Sequence, residues 1–299
     1  MAKFELKESI VERNKLQSRQ RRYIEQMYKE MANEVAQRAE YMKQKGGSYW
    51  LQYIELTKLS QELQNALRSV GGNELSIITS NMKKVSESVC EASTIFANKV
   101  GLGITKAYMH VPKDIVESLL SGQLYEGNWT LSSAIWKDVK NKQKDIIKIV
   151  AKGVGENKSA YDIAKDLEKF VDPKARKDWD WSKVYPGTSK KIDYNAQRLA
   201  RTMVSHAYQQ SLERVCKNNP FVTGYIWQAA MTERTCEICA ERDGKFFAKG
   251  ELPLDHPNGM CTFEAVIPDS MGQIADRLAD WAHGTEDKAI DLWYQDMIS

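Results

Sequence analysis

The chain has 299 residues, 42% of them hydrophobic and 28% charged, with a formal net charge of +3. That length and apolar content exclude a disordered chain and leave room for two domains with cores of their own, while so small a net charge does not by itself mark a nucleic-acid binder. No stretch approaches the roughly 18 uninterrupted apolar residues of a membrane span, and residues 1–15, MAKFELKESIVERNK, hold no apolar signal core, so the expectation is a protein made and used in a cytosol-like compartment, with no membrane partner.

Over 10–42 apolar side chains recur at helical spacing (Ile24, Met27, Met31, Val35, Ala39), which predicts a long amphipathic helix ended by Gly46-Gly47. Its Arg19, Arg21, Arg22, Lys29 and Arg38 read as a solvated basic face. A second helical pattern through Trp50, Ile54, Leu63, Leu67 and Val70 is expected to stop at Gly71-Gly72, making a helical hairpin with the first. Asn73 is expected to cap a third helix with the stripe Ile78, Met82, Val85, Val89, Ala92, Phe96 and Val100, closed by Gly101 and Gly103. Cys90, beside that stripe, reads as core filling.

Pro112 suits the first turn of a short helix ending near Gly122, and Thr130 begins a longer one through Ile135, Val139, Ile146, Ile149 and Val150. The longer helix carries Lys137, Lys140, Lys142, Lys144, Lys148 and Lys152 against Asp138 and Asp145, the densest basic stripe in the chain. Lys137, Lys140, Lys144 and Lys148 are therefore candidate contacts to DNA phosphates, beside the plainer reading of a solvated helix face. Ser159 can cap the helix holding Ile163, Ala164, Leu167 and Phe170, and residues 172–191, with Trp179, Trp181 and Tyr185 and no steady period, read as an extended connector. A helix over 193–215 follows, in which His206 is expected to make a local hydrogen bond, and then a strand over 222–229 with Val222, Tyr225 and Trp227.

That strand leads into 235–268, TCEICAERDGKFFAKGELPLDHPNGMCTFEAVIP, which holds three of the five cysteines and one of the four histidines. Cys236 and Cys239, with two residues between them, can present both sulfurs to one ion, and His256 with Cys261 can complete a tetrahedron. Thiolate and imidazole suit zinc, and Gly244, Gly250 and Gly259 fall where the intervening hairpin would turn. The same cysteines could instead be small buried hydrophobes or a disulfide, or one could be a nucleophile with His256 as base, although no oxyanion-hole signature accompanies them. Short strands are expected at Phe246-Phe247 and over 263–267. Two acidic helices follow, about 271–282 and 285–297, with Leu278, Trp281, Leu292 and Trp293 as docking faces.

The segments AQRLARTMVSHAYQQSLERV, GYIWQAAMTERTCEICAERDGKFF and LDHPNGMCTFEAVIP together resemble the Mu-type head morphogenesis family, the minor head proteins of tailed bacteriophages. The likeness rests on Arg201-Thr202 in a helix, Trp227 in a strand, the Thr235-Cys236-x-x-Cys239 step and His256-Pro257, and it covers about residues 140–268. The chain departs from the family pattern in having Gly259-Met260-Cys261 where two cysteines flanking an arginine are usual, and Met203 where an acidic residue is usual. The resemblance implies a structural virion component at the portal vertex, needed for head assembly and in some members linked to DNA in packaging or ejection.

The expected fold is α+β, a predominantly helical N-terminal region with a small α+β C-terminal module built on the Cys/His knuckle. The expected division is a helical, partner- or portal-binding region over 1–128, helices and connector over 129–192, the Cys/His module over 193–268, and an acidic helical tail over 269–299. The expected protein is a non-enzymatic minor head protein holding a structural zinc on Cys236, Cys239, His256 and Cys261, with no catalytic residues. Portal and capsid components are its expected partners, genomic DNA a candidate one, and the virion its location after assembly in the host cytoplasm. The alternative is a metal-dependent nuclease of the His-Asn-His type, suggested by Cys-x-x-Cys followed by Asp255-His256-Pro257, in which His256 would activate water.

Overall fold

A computed structural model describes residues 4–125, 127, 129–174, 192–231 and 235–299. The expected connector with Trp179, Trp181 and Tyr185 lies outside them. The class is α+β, 69% helical, with a small three-stranded sheet in the C-terminal part. In order come α1 (Lys7–Lys45), α2 (Tyr49–Lys99), α3 (Val111–Ser121), α4 (Leu131–Gly155), α5 (Ala160–Val171), α6 (Tyr194–Cys216), β1 (Gly224–Gln228), α7 (Glu237–Arg242), β2 (Phe246–Ala248), β3 (Thr262–Val266), α8 (Met271–Ala282) and α9 (Lys288–Ile298).

Local chemistry fixes most helix ends. Gly46 and Gly47 after α1, Gly101 and Gly103 after α2 and Gly122 after α3 all have positive φ, which glycine adopts without Cβ strain. The Thr130 hydroxyl accepts the Ser133 N–H in a capping box that starts α4, and Ser159 starts α5 by accepting from the Asp162 N–H. One expected break is absent. Helix α2 runs unbroken through Gly71-Gly72, so Asn73 caps nothing. The reason is tertiary: a Cβ on Gly71 would stand 2.8 Å from the Val139 Cγ2, so this glycine lets α4 approach α2 closely.

The chain divides into two compact units, and three of the four limits between them fall inside α1, α2 and α6. Residues 19–77 and 125–200 form one. Its core takes Ile24, Met31 and Val35 from α1, Leu59, Leu63 and Leu67 from α2, Ile135, Ile146 and Ile149 from α4, and Ile163, Leu167 and Phe170 from α5. Lys142, part of the basic stripe in the sequence, is 1% exposed. Its ammonium donates to the Tyr28 hydroxyl at 2.6 Å and pairs with Asp138, while the Tyr28 hydroxyl donates to Glu74 at 3.3 Å. A charge can be buried there because each of its neighbours answers it. Glu74 is pushed up to about 7, chiefly by burial.

The other unit joins residues 1–18, 78–124 and 201–299. Strand β1 lies between β2 and β3, both antiparallel to it, with Tyr225 opposite Phe247 and Ala265 and Trp227 opposite Phe263. Gly224 begins β1 because a Cβ there would lie 2.2 Å from the Phe247 carbonyl oxygen. Trp227 is fully buried, edge-on to Phe263 with ring centroids 5.0 Å apart. Helix α9 is anchored by the Arg214 guanidinium, which meets both Asp296 carboxylate oxygens at 2.8 Å, and by Trp293 edge-on to Phe221. Of the expected docking residues, Leu278 and Trp293 are buried, whereas Leu292 faces outward.

Candidate metal centre

The knuckle forms where a loop turns into α7. Cys236 is the residue before the helix and Cys239 lies in its first turn, with the Ala240 N–H donating to the Cys236 carbonyl. The second half comes from the loop ahead of β3. The Cys236 Sγ lies 3.4 Å from the His256 Nε2, and the other ring nitrogen, Nδ1, is 3.0 Å from the Pro257 carbonyl oxygen. Cys236, Cys239, His256 and Cys261 thus form a Cys/His group able to hold a metal ion. The donors fall into two overlapping triads that share Cys239: Cys236, Cys239 and His256, and Cys239, Asp255 and Cys261, with the donor atoms of each triad within 4.8 Å of one another.

The two halves differ in environment. Cys236 and His256 are half-buried, whereas Cys239, Asp255 and Cys261 are buried. The Cys239 N–H beside the Cys236 sulfur holds the Cys236 thiol below its ordinary value. Burial pushes the Cys239 and Cys261 thiols up, so ionising them in place requires a nearby cation. The isolated thiols Cys90 and Cys216 are buried too, each pushed up to about 12, which makes them inert core fillers. All five cysteines are free thiols, so the disulfide reading has no support in the geometry.

One face of α6 holds the loop that carries His256. Arg201, Thr202, Ser205, His206 and Gln209 follow one another at i, i+1, i+4, i+5 and i+8, a single helical face. The Arg201 guanidinium donates to the Asn258 side-chain oxygen at 2.8 Å, and the Thr202 hydroxyl accepts the Asn258 N–H at 2.8 Å. The Ser205 hydroxyl donates to the Gly259 carbonyl at 3.0 Å, and the His206 Nε2 lies 2.9 Å from the Asp255 carbonyl. The Gln209 amide donates to the Pro253 carbonyl and its oxygen accepts the Asp255 N–H. His206 is therefore a tertiary clamp on a loop 49 residues further along the chain. Burial holds its imidazole below the ordinary value.

Helix α1 supports the loop from another side. Arg13, 1% exposed, donates to the carbonyls of Cys261 at 2.8 Å and Met260 at 3.3 Å, and its guanidinium lies over the Tyr208 ring. The Gln17 amide donates to the Arg201 carbonyl and the Ser205 hydroxyl. The turn conformation expected of Gly259 belongs instead to Asn258, which is left-handed with φ 71. Gly259 is needed for space, since a Cβ there would stand 2.1 Å from the Asp255 Oδ2.

Ligand spacing alone marks neither Arg13, Gln17, Ser205 and Gln209 as parts of the site nor Asp255 as one of its donors. The signal that could have found the α6 residues is a polar row at helical spacing inside an otherwise apolar stretch. At the second candidate site, Lys137, Lys140, Lys144 and Lys148 share one exposed face of α4 with Trp136 and Ile147. Lys148 pairs with Asp145 at 3.7 Å, and among the described residues no ion pair involves Lys137, Lys140 or Lys144. Among the described residues no helix is long and apolar enough to cross a membrane.

Compared with known proteins, the chain matches no protein-family model, no curated protein and no solved structure.

Proposed function

We propose that this chain is a non-enzymatic minor head protein of a tailed bacteriophage, seated at the portal vertex, in which a structural zinc on Cys236, Cys239, His256 and Cys261 rigidifies the C-terminal module. The observation that carries the proposal is the convergence of the residues on which the family resemblance rests. Arg201 and Thr202 bind Asn258, two residues beyond His256, and His256 in turn meets Cys236. Motif residues joined in this way are suited to build a scaffold around an ion.

A second feature favours a protein that binds partners. Near the turn between α1 and α2, Tyr41, Trp50, Leu51 and Tyr53 are all exposed, Trp50 by 67%. Rings held outward at one end of a helical pair suit contact with another protein.

The nuclease reading fares less well. A histidine that activates water needs a free ring nitrogen facing a substrate, whereas the His256 Nε2 faces a sulfur and its Nδ1 a carbonyl. A zinc whose coordination positions are all filled by protein donors stabilises a fold, and an open coordination position is what catalysis requires.

The test is to purify assembled particles, dissociate them, and ask whether this protein cosediments with the portal oligomer and carries about one zinc per chain. Recovery apart from the portal, or metal-dependent cleavage of DNA lost on His256→Ala without loss of folding, would overturn the proposal.

A further inference from the structure

We propose that Asp255 is a direct donor to the metal, its Oδ2 binding the ion alongside the Cys239 and Cys261 sulfurs. This inference rests on the zinc reading above and extends its donor set from four residues to five.

Asp255 is 3% exposed. Its Oδ1 accepts the His256 N–H at 2.9 Å, but its buried Oδ2 has no hydrogen-bond partner among the described residues. A buried carboxylate oxygen without a donor is costly and rare in folded proteins. The cationic side chain that could have answered it is directed elsewhere: Arg13 donates to two backbone carbonyls and to the Asn14 side chain. His206 meets the carbonyl of Asp255 and not its carboxylate.

The oxygen does have neighbours of another kind, because a donor atom of Asp255 lies within 4.8 Å of the sulfurs of both Cys239 and Cys261. Carboxylate oxygen is an ordinary zinc ligand, and a glycine at 259 leaves the carboxylate its space. With three thiolates and a carboxylate around a divalent ion the group is strongly negative, and the buried Arg13 guanidinium offsets part of that charge.

Affinity alone does not separate a ligand from a residue that acts through one, since outer-shell carboxylates also change metal affinity by about 10- to 100-fold. The decisive readouts report the coordination sphere. In the full chain loaded with cobalt(II), Asp255→Asn is expected to shift the visible ligand-field bands while keeping the sulfur charge-transfer intensity, because three thiolates remain. In the zinc-loaded wild type, which needs no variant to fold, X-ray absorption is expected to count two light donors at about 2.0–2.1 Å, from His256 and Asp255, beside the sulfurs at about 2.3 Å. Cobalt bands of Asp255→Asn superimposable on those of the wild type, or a single light donor on zinc, would overturn the assignment and leave the four-residue site standing. A wild-type chain that takes up neither metal would overturn the zinc reading and this inference together.

Discussion

Gly259 and Asp255 lie so close that a Cβ on the glycine would stand 2.1 Å from one carboxylate oxygen and 2.3 Å from the other. Neither can move freely, because the Gly259 carbonyl is held by Ser205 and the Asp255 backbone by Gln209 and His206. Gly259→Ala is therefore expected to cost about 1–3 kcal/mol, the usual range for overpacking a buried site, and to weaken metal binding by displacing the carboxylate. Chemical denaturation and chelator competition on the purified variant measure both. A variant as stable and as tight as the wild type would mean that the loop yields easily.

His256→Ala is expected to act on folding. Structural zinc contributes on the order of 10 kcal/mol in small zinc modules, and loss of one ligand forfeits much of that. The strands around Phe247 and Phe263 should loosen while the long helices persist, giving near-normal helical circular dichroism and new protease sensitivity within 235–268. Unchanged proteolysis of this segment would show that His256 does not support it.

The exposed lysines of α4 lead to a salt experiment. If Lys137, Lys140, Lys144 and Lys148 bind phosphate, replacing all four by Gln should flatten the dependence of log affinity on log salt by about 0.9 for each phosphate of duplex DNA that is no longer neutralised. Trp136 and Ile147 on the same face, 43% and 53% exposed, are unaffected by the change and serve as controls for folding of the surface. No retention of the wild type on DNA at low salt would leave the stripe a solvated face.

Glu74 sets a pH dependence with a definite sign. Its ordinary value is 4.5 and burial raises it to about 7, so between these values the folded chain keeps a proton that the unfolded chain has lost. Unfolding then releases a proton, and this group makes stability fall as pH rises through that window, by a few kcal/mol in all. Tyr28, Lys142, Asp138 and Asp193 surround it, and Lys142 opposes the shift. Glu74→Gln should remove this part of the slope, read as urea midpoints at pH 5 and pH 8. Glu213, also raised to about 7 by burial, contributes a slope of the same sign and remains in both proteins, so the difference between them isolates Glu74.

Helix caps were legible because they are decided within a few residues: Thr130, Ser159 and Gly122 act through their immediate neighbours. Gly71-Gly72 was not legible, since a glycine pair that breaks a helix and one that admits a neighbouring helix look alike until Val139 is in place. Lys142 misled for the same reason. It follows the period of its helix onto the buried side, where Tyr28, contributed by a helix more than a hundred residues earlier, receives it. In the candidate site, ligand spacing brought out Cys236, Cys239, His256 and Cys261, because two sulfurs near one ion impose a short, recognisable interval. Asp255 carries no such interval, and the supporting row on α6 gains its meaning only when the 253–259 loop lies against it.

Arg13 and the Cys261 carbonyl it caps are separated by 248 residues. At elongation rates of about 5–20 residues per second, the helix that closes the Cys/His loop leaves the ribosome some ten to fifty seconds before that loop has been made. For that interval the guanidinium has no carbonyls of that loop to bind. The docking of α1 on that loop is thus a late event of synthesis, and a chain interrupted before Cys261 carries its first helix without the loop it covers.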